Sequence, residues 1–209
     1  INLARELLNA GANPILECAE GKTALFLASW EGQIDILRFL LETNAHIDAA
    51  DNDGYTPLHA ACSKGHLEVC RLLMHKKASL HVMDMFGRTP LHCACLGGNF
   101  DIVNMLLRAG AQIRTYQTDG MTPFHTACEE GFVDIVDMLL GVADPREVDN
   151  EHLTPMYYAS RAGHWKVIKR LLPFASNMDV ASSLCVASER RHHNAVFLLV
   201  AEIHLRRRG

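Results

Sequence analysis

An all-α chain of short, paired helices is predicted by three observations on this 209-residue sequence. Glycines at 21, 54, 87 and 120 recur every 33 residues, and each opens a segment of the same pattern. Each segment carries two apolar stripes at helical spacing, parted by a second glycine. Between segments lie turn-rich stretches such as Asp51-Asn52-Asp53-Gly54.

The segment Gly54 to Met74, GYTPLHAACSKGHLEVCRLLM, shows the reasoning most clearly. The Thr56 hydroxyl can cap a helix N-terminus, and Pro57 suits the first helical position, where its missing N–H is not needed. Leu58, Ala61 and Cys62 follow at i, i+3, i+4 and make one face apolar. Small residues at 60 to 62 allow close approach of another helix. Gly65 ends this helix in a left-handed conformation, and Leu67, Cys70 and Leu73 form the buried stripe of the second. Two helices this short cannot bury their apolar faces alone, so neighbours are required.

The segments GKTALFLASWEGQIDILRFLL, GYTPLHAACSKGHLEVCRLLM, GRTPLHCACLGGNFDIVNMLL and GMTPFHTACEEGFVDIVDMLL supply those neighbours. Their period and their T-P-L-H-x-A signature resemble the ankyrin repeat family, over nearly the whole chain. The resemblance implies an all-α ankyrin-repeat solenoid of stacked antiparallel helix pairs with projecting β-hairpin loops. It further implies one domain over 1–209.

Residues 1–20 read as a partial repeat, with Leu3, Leu7 and Leu8 as its stripe and Gly11-Ala12-Asn13 as a turn; a missing first helix implies that the native protein extends upstream. The repeat at 21–53 carries Ala24 where others have Pro, and Phe26 where others have His, yet Thr23, Leu25 and Ala28 keep the helical pattern. Repeats 54–86 and 87–119 match best. In the repeat at 120–151, Pro145 removes a backbone donor and His152 stands where the turn Gly is expected, so the pattern does not fix that hairpin. The unit at 152–180 has Tyr157 at the His position. Only nine residues, 173–181, then lead to the last unit, too few for a full hairpin. That unit, 181–209, has lost T-P and has Arg191 in place of the interhelical Gly, as befits an atypical cap. Phe197 falls where Arg38, Arg71, Asn104, Asp137 and Lys169 stand elsewhere. It implies either a covered surface or a rotated, repacked cap helix.

The charge is −4 overall, which argues against general nucleic-acid binding. Residues 160–209 hold nine basic and three acidic side chains, so that end is +6 and the remainder −10; a solvated basic face accounts for it. The longest apolar run near the end, 195–201, is too short to span a bilayer. Seven cysteines form no paired framework. Cys62, Cys95 and Cys128 recur at one repeat position, where stacked helices about 8–10 Å apart keep them beyond disulfide reach. They read as core thiols of a cytoplasmic protein, a nuclear location also being open.

His59, His92 and His125 recur as well. The reading favoured over a metal column is a helix-start His bonding backbone groups between adjacent repeats, as the resemblance implies. Cys93 and Cys95 point to nearly opposite helix faces, and neither His192-His193 nor Glu129-Glu130 makes a chelate or an acid–base pair. No phosphate loop, zinc spacing or nucleophile motif occurs, so no enzyme, metal or cofactor is expected. The expectation is a monomeric protein-interaction scaffold, the alternative a regulatory or substrate-recruiting module of a larger enzyme. The resemblance implies a concave face built from hairpins and the free ends of first helices, where the fold leaves residue choice open. Trp30, Tyr55, Met85, Phe86, Leu96, Tyr116 and Met121 are expected to form its apolar stripe, with Arg88 beside it and Glu31, Asp53, Asp119, Glu129 and Glu130 at its border. The implied partner is a protein or peptide with basic residues around an apolar anchor; nucleic acid and membrane are not expected.

Overall fold

The computed structural model describes residues 13, 15–43 and 45–207. The expected stripe of Leu3, Leu7 and Leu8 and the turn residues Gly11 and Ala12 lie outside them. Among the described residues there are twelve α-helices, which follow one another in pairs. The chain groups into two compact units, Ile1–Gln112 and Ile113–Gly209. The first holds α1 (Ala24–Trp30) with α2 (Ile34–Leu41), α3 (Pro57–Lys64) with α4 (Leu67–His75), and α5 (Pro90–Leu96) with α6 (Phe100–Arg108). The second holds α7 (Pro123–Glu130) with α8 (Val133–Leu139), α9 (Pro155–Ala162) with α10 (Trp165–Leu171), and α11 (Asn177–Glu189) with α12 (His193–Arg206). In each unit first helices pack on first helices and second helices on second helices. This is the all-α arrangement of paired, stacked helices that the pattern predicts.

Local chemistry explains the helix ends. The Thr56 and Thr122 hydroxyls accept from the N–H groups of His59 and His125, each at 3.4 Å. Thr23 does the same for Phe26 at 3.2 Å. His59 Nδ1 accepts the Thr56 N–H at 3.1 Å, so the ring proton sits on Nε2, which donates to the Arg88 carbonyl of the next repeat at 2.9 Å. The inter-repeat role expected for this histidine is therefore seen. Gly65 closes α3 at φ +78°, in the left-handed region. Arg191 takes up that same conformation at φ +60° in the last pair.

Further clamps join successive repeats. His66 Nε2 bonds the Trp30 carbonyl at 2.9 Å, the Asn99 amide donates to the Cys62 carbonyl at 3.0 Å, and His192 Nε2 bonds the Arg161 carbonyl at 3.0 Å. Each clamp side chain lies against the interhelical glycine of the preceding repeat, His66 on Gly32, Asn99 on Gly65 and His192 on Gly163, where a Cβ would stand in its way.

The hairpins are tight turns rather than strand pairs. Among the described residues the only β pairing is one bridge, Glu17 with Thr23. Each tip is closed by two backbone bonds, as in Asp51 N to Tyr55 O (3.0 Å) and Gly54 N to Asp51 O (2.9 Å). Loops this short and rich in Asp, Asn and Gly cannot extend a ladder. The turn at 149–153 has the same form despite His152, which sits at φ +61°. The Asp149 carboxylate holds it by accepting from the Glu151 and Leu153 N–H groups, and the Tyr158 hydroxyl donates to its other oxygen.

Two sequence expectations need correction. Leu67 is only half-buried, and Val69 joins Cys70 and Leu73 in the core of α4 instead. The last first-helix begins at Asn177, not after 181, because Ser176 and Asp179 cap each other's backbone at 3.1 and 2.7 Å. No full hairpin precedes it, as its short join requires. The cysteines are free thiols, and Cys62, Cys95 and Cys128 are buried as expected.

The buried histidines predict a pH dependence. Burial lowers the pKa of His59 and of His125 below the usual imidazole value. Below about pH 6.5 the unfolded rings take up protons that the native rings refuse, so stability is full above that pH and falls below it. The loss approaches about 1.4 kcal/mol per pH unit for each ring. Urea midpoints measured at about pH 7.5 and 5.5 are expected to be lower at the acid value; equal midpoints would contradict it.

Candidate functional site: an aromatic cleft between hairpins and first helices

Unit 1 departs most from its own repeat pattern at 21–53, and the departures converge. Phe26 replaces the helix-start histidine and is buried on α1. Its ring stacks on Trp30 at 6.2 Å between centroids and meets the Tyr55 ring, tilted, at 6.4 Å. Tyr55 in turn lies on the His59 ring at 5.1 Å. The residue after the turn glycine thus folds back over its own first helix. The rings of Phe26, Trp30 and Tyr55 wall a cleft of about 300 Å³, completed by Lys22, Asp51, Asp53, Ser63, Arg88 and Leu96.

Cations already occupy the ring faces. The Lys64 ammonium lies 4.1 Å from the Trp30 ring centre, and Lys22 lies 5.8 Å from that of Phe26. The Arg88 guanidinium stands 5.6 Å from Tyr55 and 4.9 Å from Phe86. It is fixed by the buried Asp84 carboxylate at 2.7 Å. Burial works against the Arg88 cation, but the hydrogen bond and the charge of Asp84, with smaller contributions from Cys93 and Tyr55, together outweigh it and raise its pKa. The same Asp84 accepts from the Phe86 and Arg88 backbone, so ion pair and hairpin tip are one rigid unit. Asp51 likewise accepts from the Asp53 and Tyr55 N–H groups at 3.0 and 2.9 Å. The Asp53 and Glu31 side chains are exposed and have no ion-pair partner among the described residues.

Of the residues expected from sequence, Trp30, Asp53, Tyr55, Arg88 and Leu96 meet in this cleft. Met85 and Phe86 are 59% and 48% exposed on the hairpin tip, with Phe86 against Arg88. Phe26, Lys22, Asp51 and Ser63 were not anticipated as site residues; the signal for Phe26 was its replacement of histidine. Unit 2 treats its expected residues differently. Tyr116 is exposed, and its hydroxyl donates to Glu147 at 2.5 Å. Met121 is buried and cannot offer an exposed contact, since this position folds inward here as it does at Tyr55. Asp119 accepts from the Met121 N–H at 3.0 Å, and Glu129 is paired with Arg161. Glu130 is exposed, with its pKa raised by partial burial and by Glu129.

Among the described residues no group of three or more His, Cys, Asp or Glu could hold a metal ion, and no helix is long and apolar enough to cross a membrane. The cleft presents apolar walls, an anchored cation and an outward carboxylate. A family model described as "Ankyrin repeats (3 copies)" matches residues 1–84 and 76–145. No curated protein matches the chain significantly.

Proposed function

From the premise that this chain belongs to the ankyrin-repeat family, whose repeats are in general protein-binding modules, we propose that it is a non-catalytic interaction scaffold that grips a protein or peptide on the hairpin and first-helix face of 21–112. The observation that carries this reading is the aromatic cleft of Phe26, Trp30 and Tyr55, built where one repeat abandons its own consensus. An apolar side chain of the partner enters the cleft. Lysine or arginine beside that anchor meets Asp53 and Glu31, which lack internal partners. A cation placed inside the cleft would instead face Lys22 and Arg88, so the anchor itself is uncharged. The exposed Met85 and Phe86 extend the contact along the hairpin tip, which favours an extended segment over a small molecule. The free thiols fit a reducing cytoplasmic or nuclear compartment.

Capture from cell extract tests this. Proteins held by the immobilised wild-type chain should be lost with Trp30→Ala and kept with Arg71→Ala, whose side chain is exposed on α4 away from the cleft. If Trp30→Ala captures the same proteins in the same amounts, the assignment is wrong.

A further inference from the structure

We propose that the last helix pair carries a second, independent binding surface, and that its occupant is an acidic amphipathic helix of a partner protein. The starting point is α12, whose central run, residues 195–201, is apolar on every side. Ala195 and Leu199 are buried in unit 2, while Phe197 and Leu205 stand 75% and 66% exposed on other sides of the same helix. Second helices elsewhere present Arg71, Asn104, Asp137 or Lys169 at the Phe197 position. The helix has not rotated to hide Phe197. A helix apolar all round is stable in water when both faces are covered.

Beside it, α11 exposes Met178 at 76%. Between the start of α11 and the end of α12 lies a groove of about 290 Å³, with Val180, Ala181 and Ile203 in its lining and Arg206 and Arg207 at its edge. Arg206 is fully engaged, donating to Glu202, to the Leu172 and Ala175 carbonyls and to Asn177. The Arg207 side chain has no ion-pair partner among the described residues, nor do Arg190 and Arg191 in the turn between the two helices. Unpaired cations thus stand at both ends of this helix pair, Arg207 at the groove and Arg190 and Arg191 in the turn between the helices.

That charge arrangement selects the occupant. A second copy of this chain would bring the same three arginines against these, and like charges oppose the contact. A bilayer is flat and would leave the groove unfilled. A helix fits: a leucine or phenylalanine enters the groove as its neighbours cover Phe197 and Met178, while carboxylates near its ends meet Arg207 and the Arg190–Arg191 turn.

The test uses two synthetic peptides of about five helical turns. They share one leucine–phenylalanine face and differ only in carrying glutamate or lysine elsewhere. Fluorescence anisotropy at low salt should show the glutamate peptide binding the chain at least tenfold more tightly. Phe197→Ser and Met178→Ser, both surface changes, should each weaken it severalfold with the circular dichroism spectrum unchanged. Arg207→Glu should narrow or reverse the preference between peptides, and Trp30→Ala should leave binding intact, which separates this surface from the cleft. Equal affinity for the two peptides would overturn the proposal, as would binding indifferent to Phe197→Ser. So would sedimentation with phosphatidylserine-rich vesicles that needs Phe197 while neither peptide binds, or a concentration-dependent dimer that Phe197→Ser abolishes.

Discussion

Gly65→Val is expected to lower the stability of the chain by about 2–4 kcal/mol, the largest loss foreseen for any change outside the core. Two effects add. Gly65 holds φ +78°, where a β-branched residue is strained. A Cβ built there would also lie 2.4 Å from the Asn99 Oδ1 atom. Asn99 cannot simply swing aside, because its amide nitrogen is bonded to the Cys62 carbonyl and clamps the repeat to the next one. Relieving the clash therefore breaks an inter-repeat bond. Gly98→Val provides the comparison. Gly98 has φ +69°, where backbone strain contributes about 1–2 kcal/mol. Thermal or urea unfolding should rank the proteins wild type, Gly98→Val, Gly65→Val. Unchanged midpoints for both would refute the turn assignment.

The second large effect concerns binding. Trp30→Ala is expected to weaken a partner captured on the cleft at least tenfold, and Phe86→Ala comparably, with little change in fold. A buried aromatic removes about 150–250 Å² from water, and aromatic anchors of this kind are worth about 2 kcal/mol or more at interfaces. Trp30 is part-buried and lines the cleft, so its removal widens a surface cleft and opens no sealed cavity in the core. Its backbone carbonyl, which the His66 clamp uses, survives the substitution. Phe86 is nearly half-exposed and contacts Arg88, which Asp84 anchors independently. Titration with the partner measures the loss, and circular dichroism checks the fold. Wild-type affinity in both variants would remove the cleft from the binding surface.

The fold was legible in the sequence because repetition makes each cap and turn visible several times over. Thr56-Pro57 and the left-handed Gly65 follow from residue chemistry at a fixed period, and the bonding role of His59 from the family resemblance. The site was legible only in part. Trp30, Tyr55 and Arg88 could be picked out as free positions, but their convergence depends on Phe26, which reads as a lapse from the motif rather than as a wall. Met121 was misjudged for the opposite reason: the position after the turn glycine folds over its own helix, a direction that sequence spacing does not reveal. The clamps of His66, Asn99 and His192 escaped notice because they bond backbone carbonyls some 30 residues away, which no local pattern encodes. The turn at His152 forms as its neighbours do because Asp149 and Tyr158 hold it, a tertiary contact that outweighs an unfavourable residue at the tip.

The most direct test of the binding face is site-specific photo-cross-linking to the captured partner, with a photoreactive phenylalanine analogue placed at Leu96 beside the cleft or at Arg71 on α4. Both side chains are exposed, so neither placement disturbs the core. The account predicts a strong cross-link from Leu96, abolished by Trp30→Ala, and none from Arg71. A cross-link from Arg71 with none from Leu96 would place the partner on the second helices and contradict it.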